Sequence, residues 1–310
     1  MNQTDDESSC FVGLSPALQR TYAVDSLQAG TLQRSAAVRS FASGKATNAA
    51  RHAAAAGGSV ALCTPLAGDT GRAFANVLEQ DIELRSVDGA TPTRVCTTVL
   101  EKGGRATELI EATGPIGEDA AEAILRSIES SQGLLALCGS LPPDVPPEWM
   151  ARAVRAAAGP VLVDTTGPAL RAAVSAGVTL AKPNEEELAR TVGRPLPDLP
   201  STVAAARELQ SAGVRRVLVT RGERPAIDVG ETVLLISPPT PQQVISVIGA
   251  GDAMCGTLVD QLRRGATREQ QLRRAFGYVA AYLETAPPDR VSPERAAQLA
   301  ATVRIEPFVG

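Results

Sequence analysis

The sequence predicts an α/β architecture: a mainly parallel sheet covered by helices on both faces, with a small second β-sheet. Three features of the 310-residue chain carry this expectation. Short apolar strands without polar alternation recur between helical stretches, the mark of βαβ units whose sheet is buried on both sides. Two stretches break that rhythm and have the alternation and turn residues of β-hairpins. The composition, with 44% hydrophobic and 21% charged residues, is that of an ordinary globular protein.

The hairpin material comes first, at residues 20–40 (RTYAVDSLQAGTLQRSAAVRS) and again at 92–112 (PTRVCTTVLEKGGRATELIEA). In the second, Thr- and Val-rich segments flank Lys102-Gly103-Gly104, a turn with little steric restriction. Inserted hairpins of this kind are expected to form a discontinuous β lid, from about 19–40 and 91–113, within a single domain spanning 1–310. Ala-rich runs such as AARHAAAAGG and ARAVRAAAGP read as helix. The strand VLVDTT (161–166) precedes helical PALRAAVSAG, and TLAKPN (179–184) leads into EEELARTVG. RRVLVTRG (215–222) follows helical VAAARELQSAG. Right-handed crossovers would bring the loops after these strands to one edge of the sheet, where α/β proteins bind ligands.

Several classes of function are excluded by composition. A formal net charge of −4 leaves no broad basic surface for nucleic acid, and 3% aromatic residues leave few stacking platforms. No apolar run approaches the roughly 18 residues that span a bilayer. The opening MNQTDDESSC is polar and acidic, unlike a signal peptide, which predicts a cytoplasmic protein without membrane attachment. Cys10, Cys63, Cys96, Cys138 and Cys255 are scattered, odd in number and form no CxxC pair, so reduced thiols are expected. His52, the single histidine, lies among alanines and reads as a packed side chain, which argues against a His-centred hydrolytic triad.

The segment VIGAGDAM (247–254) carries the chemistry. Gly249, Ala250 and Gly251 stand directly before a helical pattern from Asp252 to Arg264. Small residues there let backbone N–H groups converge on an anion, and the helix N-terminus adds partial positive charge. That combination suits a phosphoryl group in transfer, and a carboxylate at the same turn, Asp252, can take a proton from an attacking hydroxyl. The plainer alternative is a tight turn with a capping aspartate.

The chain resembles the PfkB/ribokinase family of carbohydrate kinases, and within it the 1-phosphofructokinase and tagatose-6-phosphate kinase branch. The resemblance spans nearly the full length, with motifs in the family's order. GLSPALQRTYAVDSL is similar to the branch's opening, ASGKATNAARHAAAAGG to its first glycine signature, TRVCTT to its lid strand and GSLPP to its central loop. VDTTGPAL, KPNEEEL, VLVTRGE and IGAGDAMCG match the remainder, and RIEPF has the family's closing character.

The resemblance implies a ribokinase-like three-layer α/β/α fold and transfer of the γ-phosphoryl group of ATP with Mg²⁺. It implies Asp252 as general base and the N–H groups of Gly249, Ala250 and Gly251 as the phosphate's anion hole. Gly44, Lys45 and Asn48 match the sugar-holding loop, Lys45 as a charge partner for a substrate phosphate. Arg94 matches a lid arginine that contacts it. Thr220 and Gly222 match the nucleotide loop, together with Gly249 and Gly251. Asn184 and Glu187 match an NxxE element that organises Mg²⁺ waters; the alternative for this pair is a helix cap. A homodimer through the lid is also implied.

Three departures alter the substrate side. Where the branch reads N-P-A-x-D, this chain has Ser15-Pro16-Ala17-Leu18-Gln19, so an uncharged amide replaces a carboxylate. Ser246-Val247-Ile248 replaces a polar run before the glycines, and Pro225 falls where the nucleotide loop has a second glycine. The expected reaction is phosphorylation of a ketohexose phosphate, fructose 1-phosphate or fructose 6-phosphate. The alternatives are a kinase for another sugar or a nucleoside, or a weakly catalytic sugar-phosphate or nucleotide sensor.

Overall fold

Apolar segments such as VLV at 161–163 cannot present a wet face, so both of their sides must be covered. In the computed structural model, which describes residues 8–35, 37–285 and 290–308, such segments form the middle of a large sheet. The chain begins with β1 (Ser9–Val12), β2 (Ala17–Val24), β3 (Ala37–Ser43) and α1 (Lys45–Ala55). Next come β4 (Val60–Leu66), α2 (Gly68–Val77), β5 (Ile82–Asp88), β6 (Arg94–Glu101) and β7 (Ala106–Ile110). Alternation resumes with α3 (Glu118–Glu129), β8 (Leu135–Cys138), α4 (Glu148–Ala156), β9 (Val161–Asp164) and α5 (Gly167–Ser175). Then follow β10 (Val178–Ala181), α6 (Glu185–Val192), α7 (Leu199–Ser211), β11 (Val214–Val219), β12 (Ala226–Val229) and β13 (Val233–Ser237). The last elements are α8 (Ala250–Arg263), α9 (Arg268–Leu283), α10 (Pro293–Thr302) and β14 (Arg304–Pro307).

The large sheet has the order β14-β13-β12-β11-β10-β9-β8-β1-β4-β5. It is parallel from β11 to β5, and β12, β13 and β14 are antiparallel. Alternate side chains of each strand feed two different cores. Cys10, Val12, Leu135, Leu137, Val161 and Val163 pack with α3, α4, α5, α6 and α7. Phe11, Ala136, Cys138, Leu162 and Leu180 pack with α1, α8 and α9 on the other face. This is the three-layer α/β/α arrangement. The chain runs outward from β1 through β4 and β5, then returns to β8 and runs the other way, so strand order reverses between β1 and β8. Outside the carboxyl ends of the strands at such a reversal a crevice opens.

Strand ends follow local chemistry. β9 stops at Asp164, before the expected Thr166, because the chain turns there to begin α5. β10 ends at Ala181, since Pro183 has no N–H to continue a ladder. The second sheet has the order β3-β2-β6-β7. Its hairpins are β2 with β3 and β6 with β7, joined by a parallel β2–β6 pair. The turn between β6 and β7 is closed by Glu101 N–H donating to Arg105 O (2.9 Å), with Gly104 at φ +84°. Pairing of β2 with β3 starts at Ala17↔Ser43, outside the expected 19–40, and stops where Gly44 turns into α1 at φ +113°.

No helix among the described residues is long and apolar enough to cross a membrane. Helices α1 and α8 approach closely, and a Cβ on Gly256 would lie 2.2 Å from the carbonyl oxygen of Ala49. Only a residue without a side chain permits this contact, and the obstacle is backbone that cannot rotate away. Gly256→Ala is therefore expected to cost about 1–3 kcal/mol, the usual range for overpacking. A urea unfolding midpoint equal to that of the unaltered chain would contradict the close packing.

Candidate active site

Both α1 and α8 begin at the crevice edge with a glycine cap at positive φ, Gly44 at +113° and Gly249 at +82°. A side chain would be strained at either φ, and a Cβ on Gly44 would also lie 3.1 Å from Ser15 O. Asp252 occupies the first turn of α8 and is 7% exposed. Its Oδ2 accepts a 2.8 Å hydrogen bond from Asn48 Nδ2 on α1. The amide cannot present its other end, because Asn48 Oδ1 accepts from Arg51 Nη1 at 2.9 Å. Arg51 is itself anchored to Ala42 O and paired with Glu79. Burial pushes the Asp252 carboxyl up to about 6, against the opposing pull of the Asn48 bond. Asp164 pushes in the same direction as burial, and Lys45 and Lys182 oppose it.

Ionised groups cluster beside this pair. Lys182, 3% exposed, lies 3.2 Å from Asp164 Oδ2, and Asp164 is 2% exposed. Lys45 Nζ lies 3.2 Å from Glu187 Oε1 and 3.6 Å from Asp164 Oδ1. Burial works against both ammonium groups, but the facing carboxylates outweigh it and hold their pKa values above the usual lysine range. A Cβ on Gly251 would fall 3.7 Å from Lys182 Nζ, so this cation sits next to the glycine loop. Beneath the site Cys138 and Cys255 meet at 3.4 Å as free, buried thiols. Their mutual hydrogen bond and burial push the Cys138 thiol well up.

The predicted substrate residues divide between two cavities. Gly44, Lys45 and Arg94 line one of about 180 Å³, with the hydroxyls of Ser15, Ser140 and Thr166. Arg94 donates to Glu111 O (3.1 Å) and Ser15 O (3.3 Å), makes no ion pair among the described residues, and leaves its buried Nε without a partner. Asp164 Oδ1 and Thr165 Oγ1 are also buried without a hydrogen-bond partner, so unsatisfied polar atoms concentrate here. Gln19 and Asn48 line a second cavity of about 110 Å³, with Phe41, Arg51, Gly249 and Tyr282. Gln19 Nε2 donates to Thr98 Oγ1 at 2.9 Å and to Arg20 O at 3.4 Å.

Thr220 follows β11, three strands from β8, a span of about 14 Å at the usual strand spacing. It bridges to Asn184, and Gly222 turns the next residues at φ +63°. Glu185 pairs with Arg221 and Arg224, closing that turn, and Pro225 contributes its carbonyl to Arg221 Nη1. Asn184 and Glu187 form the capping box of α6, with bonds of 2.9 and 2.8 Å between each side chain and the other's N–H. One Glu187 oxygen thus serves the cap and the other serves Lys45. Of the glycine-loop N–H groups, Ala250 already donates to Val247 O at 3.3 Å, while Gly251 and Asp252 occupy first-turn positions without intrahelical acceptors.

The sequence motifs give Asp164 and Lys182 no site role. Each is a charged residue ending or following an otherwise apolar core strand, VLVD and TLAK, and that pattern was a usable signal. Ser140 and Tyr282 carried no comparable mark.

Comparisons with known proteins identify the family. Residues 6–285 match the family described as pfkB family carbohydrate kinase. The chain is 35% identical to the 1-phosphofructokinase of Rhodobacter capsulatus, over 95% of this chain and 96% of that protein. It is 32% identical to the ATP-dependent 6-phosphofructokinase isozyme 2 of Escherichia coli, over 76% and 79%. The crystal structure of E. coli phosphofructokinase-2 in complex with fructose-6-phosphate superposes with a TM-score of 0.86 at 26% identity, covering 95% of this chain and 98% of that one. Arabidopsis thaliana ribokinase shares the fold, with a TM-score of 0.72 at 21% identity and the same 95% and 98% coverage. The chain belongs to the pfkB family of carbohydrate kinases.

Proposed function

We propose that the protein transfers the γ-phosphoryl group of ATP to a hydroxyl of a phosphorylated ketohexose, fructose 1-phosphate or fructose 6-phosphate. The observation that carries this reading is the buried Asp252, aimed by Asn48 at the N-terminus of α8, next to a cavity lined by Lys45 and Arg94. Its relatives named 1-phosphofructokinase and ATP-dependent 6-phosphofructokinase support the same substrate class. Asn48 occupies Asp252 Oδ2, which leaves Oδ1 to accept the proton of the acceptor hydroxyl. That oxygen then bonds to the γ-phosphorus as the bond to the departing ADP breaks. N–H groups of the Gly249–Ala250–Gly251 turn, with Lys182 alongside, stabilise the charge spread over the phosphoryl oxygens. Lys45 and Arg94 hold the phosphate already on the sugar.

The carboxylates present fit Mg²⁺ as a hydrated ion carried largely by nucleotide phosphates. The described residues hold no cluster of three or more metal-ligating side chains, and Asp164 Oδ1 is a buried oxygen with no hydrogen bond. Asn184 and Glu187 would hold its waters, and the ion would neutralise phosphate charge. Thr220 and Gly222 receive the nucleotide. The second sheet acts as a lid over both cavities.

The test is ADP release from MgATP across a panel of sugars, sugar phosphates and nucleosides. A fructose phosphate should turn over, and Asp252→Asn should lower kcat by about 10²- to 10⁴-fold while ATP still binds. Because the base works ionised, kcat/KM should rise with pH through about 6, and this acid limb should be set by Asp252. Binding of ATP and a sugar phosphate without turnover would replace the kinase reading with that of a sensor.

Arg94→Ala should raise KM for the sugar phosphate about 10- to 100-fold, the loss of one charge-assisted hydrogen bond. An unchanged KM would place the substrate phosphate elsewhere. Exposed Val38, Leu109 and Ile110 on the outer strands β3 and β7 suit a second copy pairing on the lid. Light scattering at micromolar concentration should give the mass of a dimer; a monomer mass would reject that pairing.

A further inference from the structure

The single histidine has no place in the chemistry above, yet it is buried within one side chain of the glycine loop. His52 packs edge-on against the rings of Tyr282 (4.9 Å between centroids) and Tyr278 (5.6 Å), and its Nδ1 lies 3.0 Å from the Tyr278 hydroxyl. The far end of Tyr282 reaches the loop itself. Its hydroxyl donates to Ile248 O at 2.7 Å, and a Cβ on Gly249 would meet that hydroxyl at 2.6 Å.

We infer that Tyr282 is a positioning residue for the phosphoryl-binding turn, clamped by His52 and acting through the Ile248–Gly249 peptide. The peptide is planar and trans, so its C=O and N–H point in opposite directions. Holding Ile248 O against Tyr282 therefore turns the Gly249 N–H away from Tyr282 and the second cavity. Without that bond the peptide is free to rotate, the more so because Gly249 has no side chain to resist. The clamp is constant across the working pH range. Burial pushes His52 down to about 3, so the imidazole stays neutral, and burial raises the Tyr282 phenol, so it keeps its proton.

The same end of α9 holds the approach to the loop at regular steps. Leu283 O accepts from Ile245 N–H at 2.7 Å, and Glu284 Oε1 accepts from Gln242 N–H at 2.7 Å. Glu284 is in turn fixed by Arg295 on α10 through two 2.7 Å bonds. Residues 282, 283 and 284 thus meet 248, 245 and 242, and Tyr282 is the contact next to the glycines.

This inference rests on the kinase reading, so its test has one measurement that does not. Tyr282→Phe keeps the ring against His52 and removes only the hydroxyl. It should lower kcat about tenfold with both KM values within twofold, and leave the acid limb of the pH profile in place. By hydrogen exchange, a peptide covering 245–252 should exchange about tenfold faster, with β1 and β8 unchanged. A kcat within twofold of the unaltered protein overturns the assignment, as does a parallel fall in thermal stability and exchange protection throughout the chain. If the unaltered protein phosphorylates nothing while the loop still loosens, the positioning stands and the kinase reading falls.

Discussion

The geometry of the site depends on one hydrogen bond between two helices, Asn48 Nδ2 to Asp252 Oδ2. The direction of the Asp252 carboxylate is thereby set from α1, not from its own helix. The bond exists because α1 and α8 touch at Gly256, one turn beyond Asp252, where backbone packs on backbone. Arg51 completes the constraint by occupying the amide oxygen of Asn48 and fixing which end faces the carboxylate. Local and tertiary choices agree at this point, as they do in sequences that specify one structure.

Burial then shifts the carboxyl. A carboxylate in water holds little of its proton near neutrality, and withdrawal from solvent moves Asp252 toward that range. The neighbouring Lys182–Asp164 pair is costly to bury and is a poor means of stabilising a fold, whereas the Lys45–Glu187 pair keeps its lysine side chain partly exposed. They place fixed charge beside Asp252 and the glycine loop. The large sheet supplies the position, because the loops after β1, β8, β9 and β10 converge where strand order reverses.

The two glycine-capped helix starts impose opposite demands on their surroundings. Gly44 links β3 of the small sheet directly to α1, the helix that carries Asn48. Gly249 is instead restrained from α9 and α10, elements with no part in either cavity apart from Tyr282. The two glycine-capped helix starts are thereby supported by different parts of the molecule.

Much of this was legible in the sequence. Strands without polar alternation implied a sheet buried on both faces, and their spacing by helical stretches implied parallel crossovers, because those patterns follow from local periodicity. The glycines of IGAGD and the carboxylate after them could be read as an anion site, since a helix start needs no distant partner to attract charge. Gly44, Lys45, Asn48 and Arg94 could be named through their motifs, but their division between two cavities could not. Nor could the bond from Asn48 to Asp252, separated by 204 residues, or the burial that shifts the carboxyl. Asp164 and Lys182 looked like strand ends until they met between neighbouring strands, and His52 could be read as a packed side chain but not paired in advance with Tyr278 and Tyr282. Periodicity and turn chemistry are properties of neighbours along the chain, whereas contact, desolvation and the pairing of charges exist only once distant segments have been brought together.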